Sequence, residues 1–139
     1  MKILSGLYKS RSVKTIQNAS YRPTVSRVRK SLFDILGPLN GLDILDLFAG
    51  SGILGFEAMS RGGSFVTFIE NNASSALLIQ QNAAALGVEC SVRKTDVIDY
   101  LQSCPQFDLI FADPPYGKIE LQSLVELCLI NLNNGGRLV

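Results

Sequence analysis

The chain has 139 residues, of which 47% are apolar, and a formal net charge of +1, which suits one globular domain. No apolar run approaches the roughly 20 residues that cross a bilayer, and the N-terminus lacks the apolar stretch of a secretory leader. The chain has three cysteines, no CxxC pair and no histidine. We therefore expect reduced thiols and no metal site, as in a soluble cytoplasmic protein. The absence of histidine also excludes catalysis by a Ser-His or Cys-His pair.

The first part of the chain is strongly basic. Residues 1–33 contain eight of the thirteen basic residues and no acidic one, so a segment of charge +8 precedes a body of charge −7. A solvated arm, a transit peptide and a phosphate-contacting surface all have this composition. Clustered cations gain affinity for nucleic acid by releasing counterions, which favours the third interpretation.

The elements of this segment argue against a cleaved leader. Residues 2–14 alternate loosely and predict a short strand pair, and Thr24 is a plausible N-cap for a helix. One face of that helix is predicted to be apolar, with Val25, Val28, Leu32, Ile35 and Leu36. The opposite face has Arg27, Lys30 and Asp34. Gly37-Pro38 ends the helix and divides the chain into an extension, 1–37, and a body, 38–139.

The body alternates strands with helices. Apolar runs predict strands at 43–48, 65–69, 88–92, 107–112 and 136–139. The intervening patterns predict helices at 53–61, 73–86, 97–103 and 119–130, with Gly87 as a C-cap. Buried strands that alternate with helices indicate an α/β fold with a doubly wound, mostly parallel sheet of the Rossmann-like type. Ligands of such sheets bind beyond the carboxyl ends of the strands.

The first cluster at such an end is a glycine loop, Asp46-Leu47-Phe48-Ala49-Gly50-Ser51-Gly52. Gly50, Gly52 and Gly55 also satisfy G-x-G-x-x-G, the fingerprint of a dinucleotide site, and a tight turn without a ligand would have similar glycines. Asp46 would place a carboxylate near a diphosphate, whereas the sulfonium and ammonium groups of S-adenosylmethionine favour an acidic strand end. We therefore expect S-adenosylmethionine rather than a nicotinamide dinucleotide.

Two further acids end the second and third predicted strands. Glu70 can accept hydrogen bonds from both ribose hydroxyls of a nucleoside, and its alternative role is a solvated strand-end acid. Asp96 can accept from an adenine amino group and can also act as the N-cap of the next helix. Their neighbours Asn71 and Val97 complete the candidate cofactor residues.

The fourth cluster, Asp113-Pro114-Pro115-Tyr116, carries the candidate chemistry. The two prolines lack backbone donors and fix the turn, so that carbonyls face outward as acceptors. Asp113 and the Pro114 carbonyl would bind the two hydrogens of a base amino group and localise its lone pair, while Tyr116 stacks on the base. A paired base would have to flip out of its helix. The alternative is a proline-rich surface turn.

Two runs resemble the bacterial 16S rRNA guanine-N2 methyltransferases. The first is Arg22-Pro23-Thr24-x-x-Arg27-Val28-Arg29-x-x-Leu32-Phe33. The second is Asp46-x-Phe48-Ala49-Gly50-Ser51-Gly52-x-x-Gly55-x-Glu57-Ala58-x-Ser60-Arg61-Gly62, and the family also has Asp/Asn-Pro-Pro-Tyr/Phe. The chain departs from the family pattern at three places. Family members commonly have two glycines where this chain has Ser5-Gly6, a glycine where it has Ser10, and an acidic residue where it has Asn72. They also continue beyond the fifth strand, so we expect the closing strands to be absent and the sheet edge uncovered.

The resemblance implies a class I methyltransferase fold and methylation of a guanine N2 in 16S rRNA of the small ribosomal subunit. It implies that Phe48–Gly52, Glu70 and Asp96 bind S-adenosylmethionine, that 113–116 receive the base, and that the protein is a monomer. The candidate RNA-binding residues are Arg11, Arg22, Thr24, Arg27, Arg29 and Lys30. Two alternatives remain open: a DNA adenine-N6 or cytosine-N4 methyltransferase, and a non-catalytic RNA-binding remnant of the family.

Overall fold

The computed structural model describes residues 1–16 and 26–139. Five parallel strands form one sheet in the order β3-β2-β1-β4-β5. The strands are β1 (Asp43–Leu47), β2 (Phe65–Ile69), β3 (Cys90–Arg93), β4 (Phe107–Ala112) and β5 (Leu132–Leu138). The strand order reverses at β1, because the chain runs outward through β2 and β3 and then returns to β4. The predicted doubly wound parallel sheet is confirmed.

Helices cover both faces of the sheet and enclose two hydrophobic cores. The helices are α1 (Ser26–Leu36), α2 (Ile53–Ser60), α3 (Ala73–Leu86), α4 (Val97–Leu101) and α5 (Leu121–Ile130). On one face, the first core contains Phe33 of α1, Phe56 of α2 and Ile79 of α3. On the other face, the second core contains Leu101 of α4 and Leu124 of α5. Burial on both faces explains why the inner strands have nearly continuous apolar sequences.

Both ends of α3 are capped, and the C-cap is the predicted Gly87. The side chain of Asn72 accepts a hydrogen bond from Ser75 N at 3.0 Å and caps α3. Gly87 ends α3 with a φ of 74°, a left-handed conformation that glycine adopts without strain. The strand predicted at 136–139 is longer and begins at Leu132. It is the last strand in the sheet order, so its outer edge has no strand partner among the described residues.

The predicted apolar stripe of α1 is wrong at Val28 and Ile35, while Leu32 and Leu36 pack on the first core and Val25 lies outside the described residues. Val28 and Ile35 are 57% and 83% exposed, whereas Arg29 is completely buried. The helix turns Arg29, Phe33 and Leu36 toward the body. Arg29 can lie in the interior because its Nε is 3.6 Å from Oε2 of the buried Glu57 and its Nη2 donates to Lys2 O at 2.6 Å. A paired charge thus takes a position that hydrophobicity alone assigns to an aliphatic side chain.

The N-terminal segment, residues 1–16, is part of the first core rather than a loose arm. Its predicted strand pair is reduced to one antiparallel bridge between Lys2 and Ser12. Ile3 and Val13 are buried in the first core. The division of the chain at residue 37 remains a prediction, and the two parts share one core. Among the helices of the described ranges, none is long and apolar enough to cross a membrane.

Candidate active site

The strand register aligns the carboxyl ends of the central strands. Leu47 of β1 pairs with Ile69 of β2 and with Ala112 of β4. The residues that immediately follow, Phe48, Glu70 and Asp113, therefore lie side by side at one edge of the sheet. This edge is where a doubly wound sheet binds its ligands, next to the point at which the strand order reverses.

The glycine loop after β1 contains a series of residues with positive φ. Phe48 has a φ of 56° without being glycine, and Gly50 and Gly52 follow at 60° and 83°. The N–H of Gly52 donates to Ala49 O at 2.8 Å and closes the turn before α2. A bulky residue in the left-handed region is strained, and such strain is concentrated at functional sites.

Two of the three glycines in the G-x-G-x-x-G spacing are explained by packing. A Cβ on Gly52 would lie 2.7 Å from the ring of Phe56, and one on Gly55 would lie 2.4 Å from the ring of Phe68. Phe56 and Phe68 stack with their centroids 4.8 Å apart. The spacing therefore allows α2 to pack against β2, and by itself it does not indicate a dinucleotide.

Asp46 is the buried acid of the site. It is 2% exposed, and its Oδ2 accepts a hydrogen bond from Gly55 N at 3.0 Å. Burial raises the pKa of the Asp46 carboxyl to about 8, and the charges of Glu70 and Asp113 add to this rise against the opposing Gly55 N–H. The structure thus brings three acids of adjacent strands into electrostatic contact, and Asp46 holds a proton at neutral pH in the free protein.

Asp46→Asn should remove a pH dependence of stability. The carboxyl ionises near pH 3.8 in the unfolded chain and near 8 in the folded chain, so between these values the folded state holds one more proton and its stability falls as pH rises. The asparagine oxygen still accepts from Gly55 N. We expect the variant to gain on the order of a few kcal/mol over wild type between pH 5 and pH 8, measured by urea unfolding. If the free energies of unfolding of wild type and Asp46→Asn changed in parallel with pH, Asp46 would be ionised over the whole range from pH 5 to pH 8.

Glu70 connects two loops of the site. Its Oε2 accepts from Gly50 N at 2.8 Å and its Oε1 accepts from Asn72 N at 3.0 Å. The side chain is half-buried, and Asn71 beside it is exposed. Each carboxylate oxygen has a second lone pair available for another donor. Glu70 therefore orders the glycine loop and retains capacity to bind a ligand.

The third strand end also agrees with the sequence. Asp96 caps α4, with its Oδ1 accepting from Asp99 N at 3.1 Å, and its side chain is exposed. The side chain of Val97 is buried in the second core. Phe48 and Ala49 are half-buried against the two cores, while Ser51 is buried.

The segment after β4 is open to solvent. Asp113 and Pro115 are exposed, Pro114 is half-buried, and Tyr116 is fully exposed. Gly117 follows with a φ of 73° and turns the chain. An aromatic ring without packing partners beside a carboxylate is available for stacking with a planar ligand.

The candidate RNA-binding residues do not all share one environment. Arg11, Arg27 and Lys30 are exposed, and Lys30 pairs with Asp34 at 2.8 Å. Arg29 is buried on Glu57, so its predicted contact with phosphate is wrong. The remaining candidates, Arg22 and Thr24, lie outside the described residues.

Sequence reasoning missed two buried polar residues behind the site. Glu57 binds Leu4 N at 2.9 Å, Ser5 N at 3.1 Å and the Nε of Arg61 at 3.0 Å. Asn82 of α3 lies on the buried stripe with Ile79 and Leu86. A polar residue on an apolar helical stripe was the available signal.

Comparison with known proteins supports a methyltransferase relationship. Residues 1–135 match the family described as Conserved hypothetical protein 95. The chain belongs to this family. Ribosomal RNA small subunit methyltransferase D of Haemophilus influenzae is 38% identical, over 84% of this chain and 64% of the relative. The Putative rRNA methyltransferase YlbH of Bacillus subtilis is 36% identical, over 91% of this chain and 73% of the relative.

A longer solved structure confirms the fold. The Putative methyltransferase yhhF from Escherichia coli superposes with a TM-score of 0.85 at 28% identity, over 95% of this chain and 73% of that chain. This member of the Conserved hypothetical protein 95 family thus has the Rossmann-like fold of class I methyltransferases. The chain spans 64% of the length of the Haemophilus influenzae relative.

Proposed function

We propose that this chain transfers a methyl group from S-adenosylmethionine to the exocyclic N2 of a guanine in small-subunit rRNA. The observation that carries the proposal is the convergence of Asp46, Glu70 and Asp113 with an exposed Tyr116 at one edge of the sheet. The relatives include ribosomal RNA small subunit methyltransferase D of Haemophilus influenzae, which supports the substrate class.

The donor set fits S-adenosylmethionine better than a dinucleotide. When bound, this cofactor supplies an electrophilic methyl group on a sulfonium sulfur. The Glu70 carboxylate favours a positively charged ligand and would repel the diphosphate of a dinucleotide. A cationic ligand beside Asp46 would also favour the ionised form of that buried carboxyl, whereas a diphosphate would oppose it. The free lone pairs of the Glu70 carboxylate would accept the ribose hydroxyls, and Asp96 would accept the adenine amino group.

The segment 113–116 would receive the base. The amino nitrogen of guanine is a poor nucleophile because its lone pair is delocalised into the ring. The Asp113 carboxylate and the Pro114 carbonyl would accept hydrogen bonds from the two amino hydrogens. They would thereby stabilise the positive charge that develops on nitrogen as the methyl group arrives. After transfer, the methylated nitrogen would lose one proton to water, by way of the exposed Asp113 carboxylate. Tyr116 would hold the ring in line by stacking.

The exposed cations of α1 should contribute to RNA affinity. Replacing Arg27 and Lys30 by alanine removes two charges from a surface of the basic segment. We expect weaker binding to rRNA and a log Kd against log salt slope that is smaller by about one to two. The measurement is a filter-binding titration across salt concentrations. The charge-conserving variant with Arg27→Lys and Lys30→Arg should keep the wild-type slope, and an unchanged slope in the alanine variant would contradict a phosphate contact.

Transfer of labelled methyl groups tests the proposed function. The substrates are unmethylated small ribosomal subunits, naked small-subunit rRNA and duplex DNA, followed by nucleoside identification. We expect label in N2-methylguanosine of rRNA. Label in DNA as N6-methyladenine or N4-methylcytosine would replace the proposal with the DNA alternative. No label anywhere, with the Haemophilus influenzae relative active in parallel, would identify a non-catalytic remnant.

A further inference from the structure

We propose that Asn82 is a positioning residue that couples the N-terminal segment to the glycine loop of the cofactor site. The inference rests on the proposed function, because it gives the glycine loop a cofactor to bind. It assigns a role to a buried side chain of α3 that contacts the glycine loop and is not among the residues predicted to bind the cofactor or the base.

Asn82 bridges two parts of the chain that are far apart in sequence. Its Oδ1 accepts from Lys14 N at 2.9 Å, and its Nδ2 donates to Lys14 O at 3.0 Å. The same Nδ2 donates to Ser51 O at 3.2 Å. The side chain is 2% exposed and Ser51 is 1% exposed. One amide therefore satisfies three main-chain groups, and an apolar residue of the same size would satisfy none.

The contact with Ser51 lies at the centre of the glycine loop. Ser51 stands between Gly50, whose N–H is bound by Glu70, and Gly52, whose N–H closes the turn. The loop is thus held from the cofactor side by Glu70 and from behind by Asn82. Positive φ values occur at every second residue of this loop, Phe48, Gly50 and Gly52. Both attachments are therefore expected to define its ligand-binding conformation.

The contact with Lys14 joins the loop to the basic segment. Close by, Arg11 Nη2 donates to Ala85 O at 2.6 Å, on the same helix as Asn82. The N-terminal segment is therefore attached to α3 at two points. Any RNA contact that shifts this segment is transmitted through Asn82 to the glycine loop. Because coupling between sites is reciprocal, cofactor binding should in turn order the N-terminal segment.

Calorimetric titration with S-adenosylhomocysteine tests the positioning role. The matched control is Asn131, a buried asparagine whose Nδ2 donates to Leu101 O at 2.9 Å and Leu127 O at 2.8 Å, in the second core. We expect Asn82→Ala to raise the Kd by about tenfold or more, and Asn131→Ala to leave it within about twofold. Should Asn82→Ala not fold, Asn82→Ser replaces it, since its shorter hydroxyl cannot bridge the three groups.

Hydrogen exchange provides a readout that a merely structural role would not change. In wild type, S-adenosylhomocysteine should slow amide exchange in the peptide that contains Lys14, and in the Asn82 variant this effect should be lost. Equal affinity of wild type and the Asn82 variant, or equal weakening by Asn131→Ala, would overturn the inference. Failure of the wild-type chain to bind S-adenosylhomocysteine would instead overturn the proposed function.

Discussion

Asp113→Ala should reduce methyl transfer to small-subunit rRNA by roughly 10²–10³-fold or more, the usual effect of removing one preorganised group that stabilises developing charge. The affinity for S-adenosylhomocysteine should stay within a few-fold of wild type, because we propose that the exposed Asp113 side chain binds the base and not the cofactor. Single-turnover transfer and calorimetric titration measure the two effects separately.

Two further variants make this prediction specific. Asp113→Asn keeps an acceptor oxygen, and the family resemblance includes Asn-Pro-Pro-Tyr/Phe, so it should retain measurable transfer. Asp99→Ala removes an exposed carboxylate from the first turn of α4 and should be fully active. Wild-type activity of Asp113→Ala would remove its assigned role in binding the base.

Arg29→Ala should lower the free energy of unfolding by about 3–5 kcal/mol, since it leaves the buried carboxylate of Glu57 without its interior cation. Arg61 also contacts Glu57, and its guanidinium lies 4.8 Å from the centre of the Phe33 ring. It is partly exposed and cannot replace the contacts that Arg29 makes with Lys2 O in the interior. Urea denaturation measures the change.

The matched control for Arg29 is two residues away. Arg27 lies on the same helix and is exposed, so Arg27→Ala should change stability by no more than about 0.5 kcal/mol. A loss of rRNA binding without a loss of stability in Arg29→Ala would restore Arg29 to the RNA-contacting surface. Equal stability of the two variants would show that the Arg29–Glu57 pair contributes nothing to the core.

The regular part of the fold could be predicted because local and global signals agree. The bounds of 65–69, 73–86 and 107–112 match β2, α3 and β4 at both ends. In each case an apolar run or a cap defines the limits, such as Asn72 and Gly87 around α3. The last helix ends at the predicted residue 130. The first half of β5 contains Asn133-Asn134-Gly135-Gly136, residues typical of turns, so the predicted strand begins four residues too late, at 136 rather than Leu132.

The orientation of α1 could not be predicted from hydrophobicity. Its buried face includes Arg29, whose partner Glu57 is 28 positions along the chain on another helix. Likewise Asn82 satisfies Lys14, 68 residues away in sequence. A polar residue usually indicates an exposed position. These residues are buried instead, because their hydrogen bonds and ion pairs are electrostatically stronger in the protein interior. A polar residue on an apolar helical stripe can indicate burial, but nothing local in the sequence identifies its distant partner.

The position of the candidate site could be predicted from the sequence, but the burial, protonation and packing of its residues could not. The strand ends of a parallel sheet meet at one edge, so Asp46, Glu70 and Asp113 could be placed together from their strands alone. The sequence did not indicate that Asp46 is buried and protonated, or that Gly55 packs on Phe68. Both depend on the depth of the core behind the loop, which only the three-dimensional packing defines.

The central claim is that the strand-end acids form a site for S-adenosylmethionine. Calorimetric titration of the purified chain with S-adenosylhomocysteine and, separately, with NAD tests it most directly. We expect S-adenosylhomocysteine to bind at one site, Glu70→Ala to weaken that binding by about tenfold or more, and NAD to give no heat of binding. Binding of NAD in preference to S-adenosylhomocysteine, or an unchanged affinity in Glu70→Ala, would contradict the assignment of this edge of the sheet.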